Sequence, residues 1–465
     1  MVRPFIKIGL AFIFTGSAFG CNSSAEKREI NSVQLPKSGV VHDRIVAITN
    51  KDLSYALYLP SGLNGDGMLY PVILALDPGG SGLTPVKKYK ELAEKYGYIL
   101  MGSNDSHNGQ PTTEIGPVIT GMLGEIRSVY PCDSNRIYLA GFSGGSRVAG
   151  MAATYYEGVK GVIGCGAGFP TEDKTHLAAF DYFGIAGTAD FNMNEMIQLD
   201  RILEQVGMRH FITTFPGPHA WPPAGVMEDG FQWCTLNAMK DGTLKRDDVV
   251  IGRIMAGFDI RIAKERYDNQ LIPAAEICKE AILFGEGLIS TDKFKKELQS
   301  ISDLSEYKNQ VAYRQKILKK EAIEQQSLMD GLFSKDEAWW KARIDKMNSK
   351  PIQNCNPEDT LMNARLKAFL SLVCYSNADA AIKQRNREVA KTVITVYEMA
   401  DPQNPEPNYM RAVILLQRYD STAAVKQLGI AISKGFSDKI RMMQQPEFQG
   451  LKNSPDYFDL LQKMK

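Results

Sequence analysis

The stretch RIYLAGFSGGSRVAG, Arg136 to Gly150, constrains the fold more than any other part of the chain. An apolar run, Arg136 to Ala140, meets Gly141-Phe142-Ser143-Gly144-Gly145 and passes into a helix-forming stretch of small residues. A serine at such a strand-to-helix turn takes a strained backbone conformation, so the residues two before and two after it must be small to clear neighbouring elements. Gly141 and Gly145 occupy those places. The turn projects the Ser143 hydroxyl beyond the carboxyl end of its strand, beside the backbone N–H of Gly144 at a helix start. The competing reading is a glycine-rich connector in which Ser143 only caps the helix. Ser146 falls inside the helix and lacks the flanking glycines.

The surrounding sequence has the grammar that such a turn requires. From about Val41 to Asn237, short apolar runs alternate with helical segments, and Gly or Pro marks nearly every transition. The strands expected are YALYLP, YPVILAL, YILMGS, RIYLAG, KGVIGCGAG, DYFGIAG and HFITTF, with helices over Pro85–Tyr96, Glu114–Tyr130, Arg147–Tyr156 and Met193–Val206. Continuous apolar strands separated by helices imply a mostly parallel sheet covered on both faces.

A serine hydroxyl is a poor nucleophile until a base takes its proton. The chain holds five histidines, His42, His107, His176, His210 and His219, and in the order Ser, acid, His only the last three follow Ser143. His176 lies in a helical stretch, and His210 begins HFITTF at its amino end. His219, in PGPHAWPP, follows that strand on a loop at its carboxyl end, where open α/β sheets bind ligands. A carboxylate is then needed at a strand end between the two, to hold the imidazole tautomer. DYFGIAGTAD supplies Asp190, 47 residues after Ser143 and 29 before His219. Asp181 starts the strand, whereas Glu195 and Asp200 lie in the following helix, and the structural alternative for Asp190 is a helix cap. Developing negative charge on a substrate oxygen needs donors as well. YPVILALD ends in Asp77-Pro78-Gly79-Gly80-Ser81-Gly82, which makes Gly79 and Gly80 candidates beside Gly144. Loop SNDSHNGQPTT would lie near the site, with Asn104 and His107 as solvated loop residues or substrate contacts.

LALDPGGSG, GFSGGSRVAG, GTAD and PGPHAWPP together resemble the α/β-hydrolase superfamily, in particular its dienelactone-hydrolase, feruloyl-esterase and polyhydroxybutyrate-depolymerase-like branch. The likeness covers residues about 50 to 237. It implies Ser143 as nucleophile, Asp190 as acid, His219 as base and Gly144 as oxyanion donor, acting on esters through an acyl-enzyme with no metal or organic cofactor. Many relatives carry His-Gly in the first loop where this chain has Asp77-Pro78. Only the 12 residues Phe169 to Phe180 separate two strands where many hydrolases place a helical cap. An open cleft is therefore expected, suited to acyl or feruloyl groups on polysaccharide or another large substrate.

After about Gly242 the pattern becomes long, charged and amphipathic, as in Ala274–Gly287, Ser305–Leu332, Asp336–Met347, Thr360–Ser376 and Ala380–Met399. Within 380–435, Ala412 and Leu416 share one helix face, and Ala424, Leu428 and Ile432 another. This pair resembles a tetratricopeptide-type repeat, the alternative being a plain helical bundle. The expected organisation is a signal peptide 1–20, a tether 21–40, a catalytic α/β domain 41–240 and an all-α domain 241–465, the last a possible surface for a protein partner.

Arg3 and Lys7 precede an apolar run of 13 residues, Ile8 to Gly20, too short to span a membrane. Cys21 follows directly, then a polar stretch, and the arrangement resembles a bacterial lipoprotein signal. Export and a lipid anchor at Cys21 are expected, against ordinary signal cleavage with Cys21 unmodified. The other cysteines are far apart with no C-x-x-C, which argues against structural zinc. Lys+Arg 54 against Asp+Glu 53 leaves a net charge of +1, with no basic field to attract nucleic acid. Two other functions fit the layout: a non-catalytic binding lipoprotein that recruits proteins through its helices, and a peptidase of the same fold.

Overall fold

The computed structural model describes residues 34–63, 67–171, 179–348 and 356–464. The signal segment, Cys21, most of the tether, His176, Cys355 and much of the connection 169–180 lie outside the described residues. Eight strands form one sheet: β1 (Val41–Val46), β2 (Ser54–Tyr58), β3 (Tyr70–Leu76), β4 (Ile99–Ser103), β5 (Cys132–Phe142), β6 (Val159–Cys165), β7 (Asp181–Gly187) and β8 (His210–Phe215). Their order is β1-β2-β4-β3-β5-β6-β7-β8. β1 and β2 pair antiparallel, as do β2 and β4, and every pairing from β4 onward is parallel. The sheet is mostly parallel, as the alternation of apolar runs and helices implies, and among the described residues only helices follow it in the chain. β1 was not among the strands expected. Its sequence VHDRIV is half polar, and an edge strand with one wet face needs no continuous apolar run.

The parallel register brings the carboxyl ends of the strands together. Leu76 of β3 lies opposite Gly141 of β5, Phe142 opposite Cys165 of β6, and Gly187 of β7 opposite Phe215 of β8. The loops that leave these ends carry every candidate for chemistry. Helices α1 (Leu83–Tyr96), α2 (Thr112–Val129), α3 (Gly144–Tyr155) and α4 (Met193–Gln205) lie close to the expected spans, and with α5 (Ala224–Lys240), which was not among them, they cover the sheet. α1 and α5 bury Tyr89, Leu92, Phe231 and Trp233 against Ile73, Tyr138, Ile163 and Phe183 of the strands.

The helical half comprises α6 (Asp248–Tyr267), α7 (Leu271–Gly285), α8 (Asp292–Asp303), α9 (Ser305–Gly331), α10 (Glu337–Asn348), α11 (Pro357–Lys383), α12 (Arg387–Ala400), α13 (Glu406–Leu416), α14 (Ser421–Ser433), α15 (Lys439–Gln444) and α16 (Pro455–Lys463). Asp247 starts α6 by accepting the backbone N–H groups of Val249 and Val250, and Ile251, Ile254, Met255, Phe258 and Ile262 form its buried stripe at helical spacing. That stripe and α7 join the core of the sheet: Phe284 packs 6.1 Å from Phe183 of β7 and 5.2 Å from Phe258. Burying each of these Phe side chains contributes about 1.5–3 kcal/mol. The expected boundary at 240/241 falls in the loop between α5 and α6, yet the apolar core runs straight across it.

Farther on, α9 to α13 share a second core, and α13, α14 and α16 a third that holds Ala412, Ala424 and Leu428 at 0% exposure. The expected gap between 376 and 380 is absent. α11 continues through it, with Asn377 donating its amide to the Val373 carbonyl, and the break comes at Arg385 and Asn386. Arg385 adopts φ +54° there, and the Asn386 side chain caps α12 through the Val389 N–H.

Candidate active site

The turn between β5 and α3 places Ser143 at φ +53°, ψ −118°, a region L-residues avoid at a cost of about 1–3 kcal/mol. Three restraints hold it there. The Ser143 N–H donates to the Cys165 carbonyl at 2.8 Å, and the Ser146 and Arg147 N–H groups donate to the Ser143 carbonyl at 3.0 and 3.2 Å. The turn also packs without side chains on either side: a Cβ on Gly141 would lie 2.2 Å from the Gly145 carbonyl oxygen, and one on Gly145 only 2.0 Å from that of Leu76. Ser146 is excluded from the reactive position because its buried hydroxyl donates to the Ala167 carbonyl at 2.6 Å.

From this turn a line of polar contacts runs inward. Ser143 Oγ lies 2.9 Å from His219 Nε2, and His219 Nδ1 lies 2.9 Å from both carboxylate oxygens of Asp190. A carboxylate only accepts, so Nδ1 carries the proton and Nε2 is left with its lone pair toward the hydroxyl. Asp190 is 1% exposed, and its Oδ1 also accepts the Asn192 N–H at 2.8 Å. Asp190 does not cap α4, whose N-cap position is Asn192; its carboxylate faces the imidazole instead. The rings of Phe142 and Phe191 lie 4.6 and 4.2 Å from the His219 ring, both tilted against it, and the imidazole is half-buried. Gly166 closes the floor: a Cβ there would come within 3.2 Å of both Asp190 Oδ2 and His219 Cε1.

Among the described residues, the competing groups all have other partners. His210 is buried at the amino end of β8, between the Met208 carbonyl and Asp200; burial pushes its pKa down, but Asp200, the Met208 carbonyl and the nearby Glu204 charge together raise it. Asp181 holds Arg209 and the Asn237 amide, while Glu195 pairs with Arg147 and accepts the Gly168 N–H. In the second loop, Asn104 binds the Gly82 N–H, and His107 is exposed with Nδ1 against the Asn108 carbonyl.

The first loop differs from expectation. The Gly79 N–H donates to Asp77 Oδ1 at 2.9 Å and the Gly80 N–H to the Asp77 carbonyl at 3.1 Å. Both oxyanion candidates there are engaged within their own turn, Gly79 by the Asp77 carboxylate and Gly80 by the Asp77 backbone carbonyl. Gly144, first residue of α3, keeps an N–H that a helix start leaves without an intrahelical acceptor. The other Asp77 oxygen accepts Trp221 Nε1 at 2.8 Å, which ties the first loop to the loop bearing His219. The motif HAWPP contained that Trp, but spacing alone did not reveal its partner.

Among the described residues no cluster of His, Cys, Asp and Glu is arranged to hold a metal ion. No family model matches the chain, and no curated protein does. Solved structures similar to it include the S-formylglutathione hydrolase (FrmB) of Staphylococcus aureus, 13% identical, covering 43% of this chain and 99% of that one with a TM-score of 0.35. A ferulic acid esterase is 17% identical over 40% of this chain and 93% of its own, with a TM-score of 0.34. An acylaminoacyl peptidase of Pyrococcus horikoshii is 14% identical over 42% of this chain and 40% of its own, with a TM-score of 0.31.

Proposed function

We propose that this chain is a serine hydrolase that cleaves carboxylic esters through an acyl-enzyme. The observation that carries this reading is the continuous contact Ser143 Oγ to His219 Nε2 to Asp190, built on a serine held at positive φ. In the first step His219 Nε2 takes the hydroxyl proton as Oγ attacks the ester carbonyl, giving a tetrahedral oxyanion beside the Gly144 N–H. The imidazolium, paired with Asp190, then protonates the leaving alcohol as the C–O bond breaks. Water repeats the sequence on the acyl-enzyme: His219 accepts its proton, hydroxide attacks, and Ser143 recovers its proton as the carboxylic acid departs.

The substrate class follows from the short connection 169–180, which leaves little chain for a cap, and from the signal-like amino terminus. We read these as an exported, lipid-anchored enzyme acting on acyl or feruloyl esters of a polymer such as polysaccharide. A panel of p-nitrophenyl esters beside acylated and feruloylated polysaccharide tests the reading. Turnover in the wild type and its loss in Ser143→Ala are expected. A folded wild type inactive on every ester would point instead to a binding lipoprotein. For the anchor, radiolabelled fatty acid should enter the full-length protein and not Cys21→Ala, and an unlabelled wild type would leave ordinary secretion.

A further inference from the structure

Deep between the helical half and the sheet lies an ion pair that apolar packing does not call for. Arg365 of α11 and Glu321 of α9 are each 0% exposed. Arg365 Nε lies 3.0 and 2.9 Å from the two Glu321 oxygens, and Nη2 lies 2.6 Å from Oε2. Desolvating two such charges offsets most of their mutual attraction, so an apolar pair of the same volume would serve stability as well or better. An apolar pair cannot supply a directed N–H. Arg365 Nη1, turned away from Glu321, donates to the backbone carbonyl of Thr188 at 2.7 Å, with Met193 Sδ beside it at 3.8 Å.

Thr188 lies two residues before Asp190, in the turn that leaves β7. The N–H side of that turn is tied to the strand exit leading to His219, Thr188 N–H to the Phe215 carbonyl at 2.8 Å and Ala189 N–H to the Gly217 carbonyl at 2.9 Å. Asp190 N–H closes the turn on the Gly187 carbonyl at 3.0 Å. Arg365 is thus the clamp on the opposite side of the same peptide, and its fork is aimed by Glu321. Because the acid and base loops share this ladder, tilting the Thr188 peptide shifts Asp190 and His219 together.

We propose that Arg365, oriented by Glu321, is a positioning residue that fixes the Thr188–Asp190 turn and so the Asp190–His219 pair, which makes the helical half part of the catalytic apparatus. The inference rests on the serine-hydrolase reading. An imidazole or carboxylate displaced by a fraction of an ångström costs turnover more than substrate binding.

The test uses the full-length protein, with kcat and KM for a short p-nitrophenyl ester and the melting temperature measured on each variant. Arg365→Met leaves Glu321 buried and unpaired and should lower both the melting temperature and kcat. In the double variant Arg365→Met with Glu321→Leu the apolar pair should restore the melting temperature, while kcat stays reduced about 10- to 100-fold with KM little changed. Wild-type kcat in that folded double variant would overturn the proposal. Arg365→Lys gives a second reading, since a single ammonium cannot both fill the Glu321 fork and hold the Thr188 carbonyl. It should fold with kcat lowered about tenfold, and undiminished kcat would again overturn the proposal. If the folded wild type turns over no ester at all, the serine-hydrolase reading fails and the positioning role falls with it. An active wild type with an equally active double variant sinks the positioning role alone.

Discussion

Ser143 is held largely by residues close to it in the chain or by the two strands flanking β5, whereas Asp190 is held by groups as distant as α11. At the nucleophile, Gly141, Gly145, Ser146 and Arg147 form the turn, and the Cys165 carbonyl of β6 and the Leu76 carbonyl of β3 complete it. At the acid, the turn is stitched to β8, and its Thr188 carbonyl is gripped by Arg365, 177 residues farther on. A local turn can be written in a short motif because sterics alone dictate its residues. A turn held from another layer leaves no short-range trace.

Breaking each end separately sharpens that contrast. Asp190→Asn keeps the shape of the acid loop but favours the wrong imidazole tautomer, and kcat should fall by about 10⁴-fold near pH 7 with the melting temperature little changed. A deficit below tenfold would mean that the acid contributes little. At the other end, Gly145→Ala puts a methyl group 2.0 Å from the Leu76 carbonyl oxygen, and because both sides are backbone neither can move aside cheaply. Thermal unfolding should show a loss of about 3 kcal/mol or more, together with most of the activity. An unaltered melting curve would contradict the tight turn described here. Between the two ends, Trp221→Phe keeps an aromatic ring, smaller than the indole, but removes the bond to Asp77 Oδ2, leaving a nearly buried carboxylate short of a donor. The expected cost is about 1–3 kcal/mol of stability, with a fall of about tenfold in kcat as the first loop loosens. Unchanged kinetics would separate that loop from the reaction.

These differences also explain how far the sequence could be read. The strand ends bearing Ser143, Asp190 and His219 were legible because parallel strands bury continuous apolar runs and the loops after them carry the polar groups. The structure brings those three side chains into contact in the order their positions implied. The first loop was less legible. Gly79 and Gly80 have the freedom expected of oxyanion donors, but the carboxylate two residues before Gly79 captures its N–H, a choice made by one side-chain rotamer. Arg365 did leave a trace: it stands three residues after Met362 and beside Leu366 on the buried stripe of α11, a charge where the amphipathic pattern calls for an apolar residue. What it binds could not be read there, since its acceptor is a backbone carbonyl of another layer. The core shared by β7, α6 and α7 was equally hidden, because periodicity marks a buried helix face without naming the surface that covers it.

The central claim, that Ser143 is the activated nucleophile of a Ser–His–Asp relay, is tested most directly by treating the folded full-length protein with a fluorophosphonate and mapping the adduct by mass spectrometry. The account predicts one phosphonyl group, on Ser143, absent in Ser143→Ala and formed far more slowly in His219→Ala. A folded wild type that takes no label, or takes it on Ser146 or another serine, would contradict it.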